Sequence, residues 1–462
     1  MKICLVQCPA FGIDAPPLGV AFLATYISKN KIETKIFDFN IDLYQKVEKH
    51  HKTLWEPSNS ILWSDPEKFS EFKFISSKLL DDYSAKILQF EPEMVCFSIH
   101  STSVLFSIKL SKLIRKKDPS IKIIFGGPQC FIKNNRNRVV KTEYDIHKYA
   151  DFLIIGEGEE TLLEIIKRVE EKNDLKRIPG CVYECDTSYF KYRTPIMDLD
   201  NLPIIDFSFF KLEKYTDYKH HKLRILSSRG CVSKCVFCTD TMIWMKYRTR
   251  SAKNILEEFK QRKKEGVIFL EFNYSLLNGD MNNLSKLCNL LIKDNISINW
   301  GGSARIDERL SYKFLKKMRK AGCLYLNYGI ESASTKILKK MNKNITTFEA
   351  IKTVILTRLA GIKVVTNWII GFPEETRLDF LKTLFFITFL RPFISDVSVA
   401  TLFINPHSLI EKQPLRFGIV YNGCANWHTI DKKNNQDIRA KRAKIFVFFT
   451  KMLFYKAPYK TI

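Results

Sequence analysis

The alternation of short apolar runs with longer amphipathic segments predicts two α/β halves. In the first half, helix-length segments such as Leu18 to Asn30 and Val104 to Lys117 separate five apolar runs. These runs are expected to be strands at Ile3 to Gln7, Thr34 to Asp38, Met94 to Ile99, Lys122 to Phe125 and Phe152 to Ile155. Strands that alternate with helices favour a parallel, doubly wound sheet. Residues 1–174 are therefore predicted to form a Rossmann-like domain.

The second half is predicted to contain six strand–helix units. Its helices include Ser251 to Glu265 and Asn282 to Asp294. The expected strands are Arg224 to Ser228, Val267 to Phe272, Ser297 to Ala304, Leu324 to Ile330, Lys363 to Ile370 and Asp396 to Phe403. Six such units suit a partial (β/α)6 barrel over residues 223–427, open at one side. Barrel enzymes carry their chemistry on the loops at the carboxyl ends of the strands.

Two segments lie outside these halves. Residues 175–222 are predicted to be a linker with a small hairpin formed by Cys181 to Cys185 and Phe190 to Tyr192. In residues 428–462, the stretch from Asp431 to Ile462 combines nine Lys and Arg with two Asp around aromatic runs. That pattern fits a basic amphipathic helix lying on a membrane. It fits equally well a helix that docks its apolar face on the barrel.

Composition indicates a globular protein with ordinary hydrophobic (45%) and charged (27%) fractions. The formal net charge of +25 is compatible with a nucleic-acid or anionic-membrane surface. Because the excess is diffuse and no RNA-module signature accompanies it, a solvated lysine-rich surface is favoured over nucleic-acid binding. The chain opens directly into a strand, and its longest apolar stretch, Leu384 to Leu390, is too short to span a bilayer. We therefore expect a cytoplasmic enzyme.

A cysteine triplet follows the first predicted barrel strand. Cys231, Cys235 and Cys238 have the spacing C-x3-C-x2-C, so their thiolates can converge on one metal centre. A [4Fe-4S] cluster normally takes four cysteines, and three would leave one iron open to a small molecule. A structural zinc site needs a fourth ligand at similar spacing, but His220 and His221 precede the strand. An iron–sulfur cluster is favoured over zinc and over three unrelated thiols.

The triplet, with Phe237 directly before its third cysteine, resembles the cluster loop of radical S-adenosylmethionine (SAM) enzymes. The resemblance implies that the three cysteines are both metal ligands and catalytic residues. It also implies that the open iron binds SAM. An electron supplied by a reductant such as flavodoxin or ferredoxin would then cleave SAM to a 5′-deoxyadenosyl radical.

Other barrel segments resemble the same family in order. Arg305, at the end of the third strand, is expected to pair with the SAM carboxylate, since a guanidinium recognises a carboxylate with two parallel contacts. Glu331 would contact the amino group or ribose of SAM, and Ile369 and Phe237 would lie against the adenine. The alternatives are a surface ion pair for Arg305 and a helix cap for Glu331.

The loops of the first half resemble the B12-binding domain that precedes the barrel in one radical SAM subgroup. The resemblance implies that Gly126, Gly127 and Gly156, at strand ends, contact cobalamin. His147 sits in an Asp-x-His-x-x-Ala segment that lacks the final glycine of the cobalt-binding loop and precedes the fifth strand, so we expect it to be no ligand. His100 is the alternative ligand. A domain that kept the fold and lost the cofactor also stays open.

These features together predict a cobalamin-dependent radical SAM methyltransferase that acts on an unactivated carbon or phosphorus centre of a small molecule. Cyclisation or rearrangement is an alternative within the same family. An RNA-modifying enzyme is less favoured, because Cys4, Cys8 and Cys96 do not form the additional cluster loop of the methylthiotransferases. A non-catalytic scaffold that kept the fold is the least favoured alternative.

Overall fold

The computed structural model describes residues 1–131, 144–184, 186 and 188–454. It forms two compact units, residues 1–197 with 201–220 and residues 198–200 with 221–462. Within those ranges, no helix combines the length and the apolar character needed to cross a bilayer. Short 3-10 helices are His51–Trp55, Ser60–Ser64, Ile146–Tyr149, Leu199–Asn201, Phe207–Phe209, Leu212–Lys214, Tyr218–His220 and Pro414–Phe417.

The first unit is built on a six-stranded sheet with the order β2-β1-β3-β4-β5-β6. Its strands are β1 Lys2–Gln7, β2 Glu33–Asp38, β3 Met94–Ser98, β4 Lys122–Gly126, β5 Phe152–Ile154 and β6 Cys181–Tyr183. Its helices are α1 Leu18–Lys29, α2 Phe39–Lys46, α3 Pro66–Ser70, α4 Ser77–Leu88, α5 Val104–Lys117 and α6 Glu159–Glu170. The first five strands are parallel, which is the flavodoxin-like variant of the doubly wound fold.

The predicted doubly wound domain is therefore confirmed, with each of its five strands within one residue of the expected bounds. The hairpin predicted after it is only partly present. Cys181–Tyr183 pairs antiparallel with β5 and closes the sheet edge, whereas Phe190–Tyr192 has no strand. Pairing with a long buried sheet satisfies more backbone hydrogen bonds than an isolated hairpin could. Cys185 lies outside the described residues.

An aromatic cluster fills the connection between β2 and β3. Trp63 is fully buried, its ring centroid lies 4.8 Å from that of Trp55 and 5.1 Å from that of Phe72, and its Nε1 donates to the Leu54 carbonyl. This packing gives a connection with only short helices a core of its own.

The second unit is a parallel six-stranded sheet in the order β14-β13-β12-β11-β10-β7, with two small antiparallel ribbons, β8/β9 and β15/β16. Its strands are β7 Lys222–Ile225, β8 Ser228–Arg229, β9 Arg248–Thr249, β10 Phe269–Leu276, β11 Asn299–Ala304, β12 Cys323–Glu331, β13 Lys363–Ile370, β14 Asp396–Thr401, β15 Ile419–Tyr421 and β16 Trp427–Thr429. Its helices are α7 Asp240–Ile243, α8 Ala252–Lys264, α9 Met281–Lys293, α10 Tyr312–Lys320, α11 Thr335–Lys340, α12 Thr347–Leu359, α13 Arg377–Phe389, α14 Leu409–Lys412 and α15 Gln436–Leu453.

Because neighbours in the sheet follow chain order, this unit is the predicted partial barrel. The first barrel strand differs from its expected bounds of Arg224 to Ser228. It leaves the sheet after Ile225, and the chain continues as β8, which pairs antiparallel with β9. That ribbon takes the last two predicted residues out of the parallel sheet and joins the two ends of the cysteine segment.

The C-terminal helix α15 docks on the barrel, which is one of the two alternatives expected for the basic tail. Phe446 is fully buried and Arg439 is 2% exposed. The Arg439 guanidinium lies 3.7 Å from the centre of the Trp427 ring. Phe448, two residues after Phe446 and on another side of the helix, is 68% exposed. Residues 455–462 of the tail lie outside the described ranges.

Because α15 docks through this one face, shortening side chains on its two faces should change the free energy of unfolding unequally. Phe446→Ala should lower the free energy of unfolding by about 3 to 5 kcal/mol, because it removes a buried ring and leaves a cavity. Phe448→Ala, the matched control, should change it by less than about 0.5 kcal/mol. Urea denaturation of the cluster-free protein, followed by circular dichroism, measures both. Equal losses would contradict the docked orientation of α15.

Candidate active site

The cysteine segment forms a loop that is tied at both ends. Gly230 opens it with φ of +80°, and a Cβ there would lie 2.6 Å from the Lys246 carbonyl oxygen, so only glycine fits. Further along, the backbone N–H of Val236 donates to the Met341 carbonyl, and Nδ2 of Asn342 donates to that of Lys234. The loop therefore has a defined path along the barrel rim.

Cys231, Cys235 and Cys238 are partly exposed, and among the described cysteines only Cys424 shares that exposure. Burial raises the pKa of the Cys238 thiol to about 12. Burial also raises the pKa of Cys235, while the positive charges of Lys343 and Arg305 act against that rise. The described side chains include no ready-made group of three or more metal-ligating residues. Cysteine thiols lose their protons when they bind a metal.

An apolar cluster packs against the cysteine loop and brings two predicted adenine contacts together. Val236 is buried in this cluster with Phe372 and Trp427, and Phe237 and Ile369 both pack against it. Phe237 and Ile369 are far apart in the chain, so the cluster gives them a common apolar surface at the rim. Their contact with adenine stays a prediction.

Arg305 follows β11 and reaches the same region with its side chain uncommitted. Its Nε is buried and has no hydrogen-bond partner among the described residues. Its backbone is held instead, because Oδ1 of Asn278 accepts from the Arg305 N–H at 2.9 Å and Nδ2 of Asn278 donates to the Arg305 carbonyl at 2.9 Å. Within the described part of the chain, Arg305 does not form the surface ion pair that was its alternative, whereas its neighbour Arg309 pairs with Asp307 at 2.6 Å.

Glu331 ends β12 in a strained backbone conformation. Its φ is +70°, which costs free energy for a residue with a side chain, and the register between β12 and β13 shifts between Gly329 and Glu331. A bulge of this kind re-aims a side chain. A Cβ at position 329 would lie 2.3 Å from Oε1 of Glu331, so Gly329 supplies the space that the carboxylate occupies.

The Glu331 carboxylate meets a lysine that sequence reasoning did not identify. Nζ of Lys343 lies 3.0 Å from Oε1 of Glu331. Burial favours loss of the Lys343 proton, but the charges of Glu331 and Cys235 outweigh it and raise the pKa of this ammonium. The following helix, α11, has Ser334 as its N-cap residue, so Glu331 does not have the capping role that was its alternative. The signal for Lys343 was weak in the sequence, because it is one lysine among many in a loop.

A second set of contacts holds the turn after β13. Gly371 has φ of +83°, and its N–H donates to Oε2 of Glu375 at 2.9 Å. Nδ2 of Asn434 donates to the carbonyls of Gly371 and Phe372, and Arg442 pairs with Glu375 at 2.9 Å. Asn434 and Arg442 belong to the C-terminal segment, so the tail holds the turn next to Ile369. Sequence reasoning did not connect these two regions.

In the first unit, the predicted glycines lie at the carboxyl ends of β4 and β5. Gly127 has φ of +105°, and a Cβ there would lie 2.8 Å from the Ile99 carbonyl oxygen, so this glycine permits a backbone contact. Gly126 would tolerate a Cβ 3.6 Å from that of Ile154. Gly156 has φ of +92° and open space around its Cβ position. Of the three, Gly156 is the one whose surroundings leave room for a ligand.

The two histidines differ in their place on this sheet. His100 follows β3 at the carboxyl edge, where its ring packs against that of Phe11 at a tilt of 42° with 4.6 Å between centroids. Burial lowers the pKa of His100 to about 4, which keeps the imidazole neutral at pH 7, the form that binds metals. His147 lies in the 3-10 helix Ile146–Tyr149, before β5 begins. It is therefore at the amino edge, away from Gly156.

The chemistry of both sites fits the cofactors expected from the sequence. Three thiols on a tied loop suit an iron–sulfur cluster. The orphaned Nε of Arg305 and the Glu331–Lys343 pair provide opposite charges for the carboxylate and amino group of an amino acid. The carboxyl edge of the first sheet has the orphaned buried Oε1 of Gln7 and the open space at Gly156. Ligands of doubly wound sheets bind at that edge.

Comparison with known proteins identifies the class. The Radical SAM superfamily profile matches residues 225–387, which contain the cysteine loop, Arg305, Glu331 and Ile369. Residues 225–387 thus carry a radical SAM domain, and the prediction made from the triplet is confirmed at this level.

The similarity to other proteins extends beyond that domain. The chain is 24% identical over 415 residues to an uncharacterized methyltransferase of Pyrococcus horikoshii, covering 87% of this chain and 81% of the relative. It is 26% identical over 305 residues to the anaerobic magnesium-protoporphyrin IX monomethyl ester cyclase of Synechocystis, covering 65% of this chain and only 59% of the cyclase.

Among solved structures, the fold resembles the radical SAM methyltransferase TsrM of Kitasatospora setae, whose structure holds cobalamin and a [4Fe-4S] cluster. The TM-score is 0.67 at 14% identity, and the match covers 91% of this chain and 80% of TsrM. At that identity the likeness establishes a shared fold. The fold predicted for the chain, with a Rossmann-like half and a partial barrel, is thus confirmed.

The uncommitted Arg305 side chain predicts a selective effect on SAM binding. Arg305→Ala should weaken SAM binding about 5- to 150-fold, the equivalent of 1 to 3 kcal/mol for a lost charge-assisted contact. Arg309→Ala, which removes the neighbouring arginine paired with Asp307, should leave the affinity unchanged. Equilibrium dialysis of anaerobically reconstituted protein with labelled SAM measures both. If the two variants behave alike, Arg305 is not a SAM ligand.

Proposed function

We propose that the chain is a cobalamin-dependent radical SAM methyltransferase that acts on a carbon or phosphorus centre of a small molecule. The observation that carries the proposal is the meeting, at one barrel rim, of the cysteine loop with an unpaired arginine and a glutamate–lysine pair. The charges of Lys343 and Arg305 both act on the Cys235 thiol, so these side chains are close to the loop. The resemblance to TsrM and to a methyltransferase of similar length favours methyl transfer over cyclisation.

In this proposal each side chain at the rim has a role in binding SAM. The three cysteines hold the cluster, and Arg305 receives the SAM carboxylate through its free Nε. Glu331 accepts from the SAM amino group or ribose, while Lys343 orients the Glu331 carboxylate and balances its charge. Phe237 and Ile369 provide apolar contacts for the adenine, beside the turn at Gly371.

The first unit is proposed to bind cobalamin at the carboxyl edge of its sheet. Gly126 and Gly127 have no side chains that would project from that edge, and Gly156 leaves room for the ligand. When bound, the cluster and cobalamin supply the electron for SAM cleavage and the methyl group, respectively, and the protein contributes position and charge. An external reductant such as flavodoxin or ferredoxin would reduce the cluster, and the cytoplasm would protect it from oxidation.

The cluster assignment predicts a clear result for the cysteine loop. Replacing Cys231, Cys235 and Cys238 together by Ala should abolish the visible iron–sulfur absorption and reductive SAM cleavage, because the ligands are lost. The matched control replaces Cys424, the other partly exposed described cysteine, by Ala. Iron and sulfide analysis after anaerobic reconstitution decides the matter. A triple variant that retained about four irons per chain would place the cluster elsewhere.

The cobalamin assignment predicts a bound cofactor without a protein histidine on cobalt. His147→Ala should bind cobalamin normally, because this residue lies at the wrong edge of the sheet. The Co(II) form of the intact protein should show no nitrogen splitting from a protein imidazole in its electron paramagnetic resonance spectrum. His100→Ala provides the comparison, since His100 is neutral and lies at the right edge.

Two outcomes would revise this assignment in different ways. If splitting is present and His100→Ala removes it, His100 is the lower ligand. If the intact reconstituted protein binds no cobalamin, methyl transfer is excluded, and the first unit has another role. If cobalamin does bind, product analysis with SAM carrying a labelled methyl group separates methyl transfer from cyclisation, because only transfer moves the label.

A further inference from the structure

The outward face of α13 carries large apolar side chains where a barrel helix normally has polar ones. Leu378, Leu381, Phe385 and Phe389 are 63%, 47%, 74% and 58% exposed. Their spacing of three, four and four residues places them on one side of the helix. The opposite side, which includes Phe386 and Ile387, is buried. The helix therefore has two apolar sides, and only one of them is explained by packing on the sheet.

The C-terminal helix α15 has a matching outward stripe. Ile445, Phe448 and Met452 are 44%, 68% and 65% exposed, with spacings of three and four residues. Burial of Phe446 and Thr450 on the other side shows that this helix, too, is docked through a different face.

The two helices that carry these stripes pack against each other in register. Near the start of α13, the Phe380 ring lies 5.9 Å from the Arg442 guanidinium of α15. Just after α13, Arg391 donates to the Leu453 carbonyl at 2.5 Å. Advancing 11 residues along one helix thus corresponds to advancing 11 along the other, so the helices run parallel. Phe385 is midway on the first and Phe448 midway on the second, so the two residues lie at the same level along the pair of helices.

We call the two exposed stripes together the α13–α15 patch. It comprises Leu378, Leu381, Phe385, Phe389, Ile445, Phe448 and Met452. Its length is about 17 Å along the helices at 1.5 Å per residue, and adjacent helix axes are about 8–10 Å apart. Large apolar side chains exposed together on neighbouring helices are typical of an interaction site.

The charges around the patch are of one sign. Exposed basic residues flank it on both helices, namely Arg377, Lys382, Lys441, Lys444 and Lys451. The acidic residues of the two helices are Asp379, which is 4% exposed and faces inward, and Asp437, in the first turn of α15. The partner of this surface should therefore be apolar at its centre and anionic around it.

We propose that the α13–α15 patch binds the surface of an anionic lipid bilayer. Rings and aliphatic chains on neighbouring helices can insert below the headgroups while flanking lysines reach the phosphates. A second copy of the chain fits poorly, because a two-fold contact would bring one basic rim against the other. An acidic protein partner would have to supply pockets for seven protruding side chains, whereas a bilayer adapts to them. The proposal does not depend on methyl transfer.

Vesicle flotation of the full, reconstituted chain tests the proposal. Binding is expected to vesicles of phosphatidylcholine with phosphatidylglycerol, to be at least tenfold weaker to phosphatidylcholine alone, and to fall with added salt. The double variant Phe385→Ser, Phe448→Ser should lose tenfold or more in partitioning, since two aromatic rings no longer leave water on binding. Lys444→Gln with Lys451→Gln should weaken binding to the anionic vesicles alone.

The matched control is the double variant Phe348→Ser, Leu359→Ser. These residues belong to α12, are 73% and 57% exposed, and lie outside the patch, so their replacement should not change partitioning. Circular dichroism checks that all variants keep the fold, which is expected because every substituted side chain is exposed.

Three results would overturn the proposal. The first is absence of binding to the anionic vesicles, and the second is equal loss in the patch and control variants. The third is a concentration-dependent dimer, seen by sedimentation, that the Phe385 and Phe448 substitutions abolish, since the patch would then be an interface between copies. None of these results bears on cluster content or SAM cleavage, which are measured on the same preparations.

Discussion

The parallel pairing of six strands in chain order is the constraint on which the candidate active site depends. It brings the carboxyl ends of all six strands to one rim. The cysteine loop, Arg305 and Glu331 come from separate strand–helix units, and yet the charges of Arg305 and Glu331 both act on the Cys235 thiol. No local interaction could bring together groups that are so distant in the chain. Sheet register does so, and the loops then need only small adjustments to aim their side chains.

Those adjustments rely on backbone positions that only particular residues allow. Gly230 lets the loop pass the Lys246 carbonyl, and Gly329 leaves space for the Glu331 carboxylate. Glu331 itself holds a left-handed conformation without being glycine. Strain of this kind persists where the surrounding structure compensates for it, and here the ion pair with Lys343 and the pairing of β12 with both neighbours provide that compensation. The rim therefore combines a stable sheet with a few strained residues that carry the polar groups.

Most of the fold could be predicted from the sequence, because apolar runs and amphipathic helices have distinct periods. The bounds of β13 and α5 were predicted to the residue. The antiparallel β6 was not, because pairing with a sheet edge is a tertiary choice that no local pattern records. In the same way, Arg305 and Glu331 could be proposed from their place after strands. Lys343 and Asn278 could not, since one lies in an ordinary polar loop and the other acts through a backbone far along the chain.

The C-terminal segment shows how a region outside the family domain becomes part of the site. Asn434 and Arg442 hold the turn at Gly371 through its carbonyl and through Glu375. Burial raises the pKa of Glu375 to about 7, although Arg442 opposes the rise, so the ion pair is strongest when the pH exceeds that value and this carboxylate is charged. Because the same helix presents Phe448 and Met452 outward, any partner that covers α15 contacts the element that holds the turn. A force on the helix would reach the rim through two hydrogen bonds and one ion pair. Helix α15 thus has a structural reason to lie against the barrel, apart from any role in binding a surface.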